Sequence, residues 1–104
     1  MAFYRCGSGG GTDLTPVVIQ NTVTSNAPYS YTSDGTYKYI LAIASDFYSS
    51  AIRSTSVSGG CKQIILQNTA TAGIVLLKLV KGGSITINFR TDGNSLTRTI
   101  WGLK

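Results

Sequence analysis

From Pro16 onward nearly every apolar run in this chain is short, rich in β-branched or aromatic residues, and closed by Gly, Asn, Asp or Ser. That is how strands joined by turns read. The pattern predicts strands over Val17 to Thr24, Tyr29 to Thr32, Thr36 to Ala44, Ala51 to Val57, Lys62 to Asn68, Gly73 to Val80, Ser84 to Arg90 and Ser95 to Trp101. In the seventh, Ile85, Ile87 and Phe89 fall on one face and Thr86, Asn88 and Arg90 on the other; Leu96, Arg98 and Ile100 continue the alternation less strictly. About eight short strands at this spacing predict an all-β fold, a single antiparallel β-sandwich of jelly-roll-like form.

Two Asp-Gly steps, Ser33-Asp34-Gly35-Thr36 and Thr91-Asp92-Gly93-Asn94, suit hairpin turns, because glycine accepts positive φ. A turn of two or four residues at the first would put Tyr37 and Tyr39 on the face of Leu41 and Ile43, with Tyr29 and Tyr31 opposite; a loop one residue longer or shorter reverses that partnership. Ile19-Gln20-Asn21-Thr22-Val23-Thr24-Ser25 is echoed by Leu66-Gln67-Asn68-Thr69-Ala70-Thr71-Ala72, which supports β symmetry. Between Gly73 and Gly83 the run is apolar on both faces at Ile74 to Leu77. Such a strand needs cover on both sides, either from a neighbouring subunit or from the chain's own N-terminal segment or a loop. Ile74 and Leu76 are accordingly candidate assembly residues.

Residues 1–15 differ from the rest. Phe3, Tyr4, Arg5 and Cys6 precede a run of glycines from Gly7 to Gly11 that holds no regular element by itself. This segment reads as an anchor on a tether, and residues 16–104 as the β-sandwich domain. It has no apolar signal core, and Lys78 and Lys81 interrupt the longest apolar run, so the chain reads as made in the cytoplasm, without signal peptide or membrane insertion.

The 104 residues contain no histidine, and the four carboxylates are all aspartates: Asp13, Asp34, Asp46 and Asp92. General acid–base and nucleophilic chemistry draw on groups this chain lacks, so no catalytic residue is assigned and the chain reads as a non-enzyme. A zinc site lacks partners for Cys6 and Cys61, and neither metal nor cofactor is expected. Whether the two cysteines pair is open; separate reduced thiols are favoured where no export signal is seen. The net charge of +5 reflects scarce acids, with basic residues spread along the chain. That argues against nucleic acid, unless strands gather Lys78, Lys81, Arg90 and Arg98 on one face. Asp46 stands where it can cap a loop or a short helical turn to Ser50. With Tyr29, Tyr31, Tyr48, Asn94 and Trp101 it forms a candidate ligand set, in which aromatic rings would stack on a glycan; the competing role of the tyrosines is core packing and cross-strand pairing.

The opening Met1-Ala2-Phe3-Tyr4-Arg5-Cys6-Gly7-Ser8-Gly9-Gly10-Gly11, followed by a Thr-rich β domain, resembles small virion-associated proteins of phages and prophages of Gram-positive bacteria. The stretches Gly35-Thr36-Tyr37-Lys38-Tyr39-Ile40-Leu41 and Lys81-Gly82-Gly83-Ser84-Ile85-Thr86-Ile87-Asn88 look like strands of jelly-roll domains in tail, fibre and receptor-binding proteins. The resemblance implies a structural or host-recognition accessory located in the virion. It would be a homo-oligomer, for which a trimer fits, in contact with other virion proteins. Two alternatives stand beside it: a module binding a cell-surface glycan or small ligand, and a phage-encoded inhibitor of a host protein or nucleotide signal.

Overall fold

A computed structural model describes residues 14–46, 51–91 and 96–104. The expected tether with Phe3, Tyr4, Arg5 and Cys6, the helical turn after Asp46 with Tyr48, and Asp92 to Asn94 lie outside the described residues. Eight strands carry the fold: β1 (Pro16–Thr24), β2 (Tyr29–Thr32), β3 (Tyr39–Ser45), β4 (Ile52–Ser58), β5 (Lys62–Asn68), β6 (Ala72–Lys78), β7 (Ser84–Phe89) and β8 (Thr97–Leu103). They form a five-stranded sheet in the order β1-β8-β3-β6-β5 and a three-stranded sheet in the order β2-β7-β4. Every pairing is antiparallel.

The chain changes sheet at every connection except β5 to β6. β1 pairs with β8, β2 with β7 and β3 with β6, and β4 lies against β5, so the strands match as one long antiparallel hairpin folded over itself. That is the jelly-roll order, and the fold is an all-β sandwich of this kind.

The alternation of the strands decides the core. Ile85, Ile87 and Phe89 of β7 point inward, against Ile40, Ala42 and Ala44 of β3, Val75 and Leu77 of β6 and Ile100 of β8. These side chains are almost fully buried, and burying each large one is worth about 1.5–3 kcal/mol.

The hairpin expectation at both Asp-Gly steps is overturned. β2 and β3, like β7 and β8, belong to different sheets, so neither step joins a hairpin pair, and the first is a corner between layers. At the first corner Ser33 Oγ accepts the Gly35 N–H at 3.2 Å and Asp34 Oδ1 accepts the Thr36 N–H at 2.9 Å, while Gly35 has φ of 92°. Side-chain acceptors hold the turn locally, where a hairpin would have used a ladder. β3 therefore begins at Tyr39, three residues later than its sequence pattern implied. β8 extends to Leu103, which lies opposite both Pro16 of β1 and Tyr39 of β3. The two echoed segments fall at opposite edges of the large sheet, in β1 and in β5 with the turn after it.

Asn68 joins the layers where β4 and β5 have no ladder. Its Oδ1 accepts the Ile52 N–H at 3.1 Å and its Nδ2 donates to the Ile52 carbonyl at 2.8 Å, satisfying both backbone groups of a fully buried residue. Asn68→Ala strands both groups at a cost of about 1–3 kcal/mol. Asn68→Asp keeps the acceptor and loses the donor. Urea unfolding is expected to rank stability as wild type, then Asp, then Ala; an Ala variant as stable as wild type would refute this role.

Candidate functional site: the outer face of the five-stranded sheet

Inward residues of β3, β6 and β8 are covered by the small sheet, and the residues between them point the other way. The cross-strand register sets Val18 beside Trp101, Trp101 beside Leu41, Leu41 beside Leu76, and Leu76 beside Ile65. One apolar rank thus crosses all five strands. The next rank places Thr99, Ile43, Ile74 and Gln67 side by side. Val18, Ile43 and Ile65 are 51%, 41% and 43% exposed.

A β-bulge shapes one side of this face. Gln63 lies opposite Leu77 and Ile65 opposite Leu76, leaving Ile64 as the extra residue. A bulge re-aims side chains. Ile64, 50% exposed, joins Ile65 on the outside while Leu66 turns to pack on the core. The two isoleucines, together with Leu41, Leu76, Tyr39, Leu14 and Leu103, line an apolar groove of about 450 Å³. Beyond it lies the rank of Tyr39, Lys78 and Lys62.

The outside of the small sheet has opposite character. Ser30, Thr86 and Ser56 form one rank, and Thr32, Ser84 and Ser58 the next. Ser30 and Thr86 hydroxyls lie 3.0 Å apart, Thr32 and Ser84 hydroxyls 2.8 Å apart, and Asn88 Nδ2 donates to Ser54 Oγ at 3.2 Å. This face is uncharged along those ranks, hydroxyl-rich and readily hydrated.

The sequence-derived sites divide between these regions. Ile74 and Leu76 are both on the outer face of the large sheet, half-buried among their neighbours. Trp101 is there too, in the apolar rank. Tyr29 and Tyr31 point inward from β2 and pack on the core, with Tyr37 beside them at 6.1 Å between ring centroids from Tyr31. Tyr37 thus parts from Tyr39, Leu41 and Ile43, since its ring covers the inner side of Gly102, where a Cβ would come within 2.6 Å of Cε1. Asp46 is buried at the end of β3, its N–H donating to the Thr71 carbonyl at 2.8 Å. The structure therefore does not bring Tyr29, Tyr31, Asp46 and Trp101 into one concave surface; Tyr48 and Asn94 are outside the described residues. Cys61 is a free, buried thiol.

Lys78, Lys81 and Arg98, which the sequence offered as a shared basic face, do not gather on one face either. Arg98 points into the sandwich, where Nε donates to Gln20 Oε1 at 2.8 Å, Nη1 donates to the Ala27 carbonyl, and the guanidinium stands 4.6 Å from the Phe89 ring centroid. Burial lowers its pKa, partly offset by Tyr29. Lys78 faces outward on β6 and Lys81 sits in the β6–β7 turn.

Sequence reasoning missed Val18, Ile64, Ile65 and Lys62 as parts of the site. Only the register across strands joins them, and the bulge at Ile64 breaks the alternation that would have located them. Comparison of the chain with known protein families, curated proteins and solved structures finds no match.

The tyrosine cluster ties stability to pH on the alkaline side. Burial, then the neighbouring Tyr31 and Tyr37, raise the Tyr29 pKa against the opposing effect of Arg98; burial, then Asp34 and Tyr37, raise that of Tyr31. The unfolded chain loses these protons first, near the ordinary tyrosine value of about 10. Their contribution is thus fully present below about pH 10 and is lost as pH rises through the higher folded values. Urea unfolding between pH 8 and 11 is expected to show that loss, with a shallower decline for Tyr29→Phe than for wild type. Identical declines would exclude the cluster as its source.

Proposed function

We propose that this chain is a non-enzymatic structural or host-recognition accessory of a phage or prophage virion, assembling with further copies of itself through the outer face of the five-stranded sheet. The observation that carries the assembly reading is the apolar rank from Val18 through Trp101, Leu41 and Leu76 to Ile65. Five strands about 4.8 Å apart and about seven residues long give this face roughly 550 Å² of projected area. The whole face, with Thr99, Gln67, Lys62 and Lys78 included, thus approaches the ~800 Å² that each partner contributes to a standard interface, and its apolar part falls within the ~300–600 Å² of the largest patches on soluble monomers, which are often functional. A second copy supplies an apolar surface of the same shape and requires no new partner.

The contrast between the two outer faces supports one orientation. With the large sheet turned into an assembly, the Ser- and Thr-covered small sheet faces solvent or a host surface. The virion setting rests on the resemblance of the opening residues and of the Gly35–Leu41 and Lys81–Asn88 stretches, to which the jelly-roll order adds support. In this reading Phe3, Tyr4, Arg5 and Cys6 dock the chain onto other virion proteins.

Light scattering on the full chain is expected to give a discrete oligomer, and the double variant Leu41→Ser/Leu76→Ser a monomer that still unfolds cooperatively. Thr86→Lys, on the other sheet, is expected to keep the oligomer. A wild-type monomer at all concentrations, or a Ser variant of unchanged mass, would contradict the assembly reading.

A further inference from the structure

In the register of the large sheet, positive charge stands next to the apolar groove. Lys62 and Lys78 are direct register partners on the outward side of β5 and β6, and Tyr39, which lines the groove, is the neighbour of Lys78 on β3. Both lysines are exposed, and among the described residues neither has a carboxylate partner. Like charges placed directly opposite each other repel, and the ladder holds these two there. The described aspartates are elsewhere: Asp34 is at the β2–β3 corner and Asp46 is buried at the far end of β3.

Two halves of a ligand are therefore specified side by side. The groove volume of about 450 Å³ is in the range of small-molecule sites, and its lining offers no hydrogen-bonding side chain apart from the Tyr39 phenol. It accepts a chain of methylenes and gives a polar ligand nothing to replace its water. The paired ammonium groups next to it accept one anion, which relieves their mutual repulsion.

We propose that the groove binds a long-chain carboxylate, its acyl chain lying over Leu41, Leu76 and Ile65 and its carboxylate between Lys62 and Lys78. This site does not depend on self-association. It uses the strip that a second copy would cover, so the carboxylate and the second copy compete, and ligand binding opposes assembly.

Titration of the full chain with dodecanoate below its micelle concentration, followed by calorimetry and methyl NMR, tests this. The expected result is saturable binding of one dodecanoate per chain, with shifts centred on Leu41, Leu76 and Ile65 and no comparable binding of dodecyltrimethylammonium. The double variant Lys62→Gln/Lys78→Gln is expected to bind about tenfold more weakly, a loss typical of charge-assisted contacts. Ile65→Glu, at an exposed position on an edge strand, is expected to abolish binding while the fold is retained.

Absence of saturable binding, equal uptake of the cationic surfactant, or unchanged affinity in both variants would overturn the proposal. The mass of the ligand-free chain reports on assembly separately. A monomer that binds dodecanoate supports this site and refutes assembly, whereas an oligomer that takes up none, even when diluted, refutes this site alone.

Discussion

The central strands of this protein are apolar on both faces, and a sandwich of two sheets covers only one of them. Val75 and Leu77 of β6 are fully buried beneath the small sheet, while Ile74 and Leu76 between them face the other way. The same holds for β3, where Ile40 and Ala42 point in and Leu41 and Ile43 point out. A surface helix or half-exposed strand resolves this demand with polar residues on its outer side. Here the outer side is Leu, Ile and Trp, so part of the hydrophobic driving force is left unused by the isolated fold. A half-exposed large aliphatic side chain leaves on the order of 1 kcal/mol unrealised, and several stand together.

Jelly-roll connectivity determines where that surplus collects. Because the chain crosses between sheets at nearly every connection, strands far apart in sequence become neighbours, and the central positions of the large sheet go to β8, β3 and β6. Edge positions go to β1 and β5, both irregular. β1 carries register shifts and a positive φ of 52° at Thr22, whose N–H is held by Thr99 Oγ1 at 3.2 Å. Such irregular edges discourage indiscriminate strand pairing at the rims of the large sheet. The hydroxyl ranks on the opposite sheet give the molecule two unlike sides, and hence a direction in any assembly.

Much of the fold was legible in the chain. All eight strands were visible from β-branched runs and their Gly, Asn, Asp and Ser boundaries, and the inward set Ile85, Ile87 and Phe89 followed from alternation alone. The turns misled because Asp-Gly serves a corner between layers as well as a hairpin; what separates the two is whether the flanking strands share a ladder, which is a long-range property. Ile74 and Leu76 were legible as outward positions because their own strand carries the signal. Ile65 and Lys62 were not, because their position depends on a bulge and on pairing with β6. Tyr29 and Tyr31 offered amphipathic rings that serve equally in a binding platform and a core, and partial burial against the core decided between these roles. Alternation set Arg98 on one face with Leu96 and Ile100, and Gln20, the Ala27 carbonyl and the Phe89 ring are what give its charge a place inside.

The account stands on the claim that the outer face of the large sheet is covered in the working state of the protein while the small sheet stays wet. Solvent paramagnetic relaxation with a neutral soluble probe, measured on the methyl groups of Leu41, Leu76 and Ile65 and of Thr86 over a range of protein concentrations, tests it most directly. The account predicts that enhancement at the leucine and isoleucine methyls falls as concentration rises, while that at Thr86 stays high. Enhancements that remain equal on both faces at every concentration would contradict it.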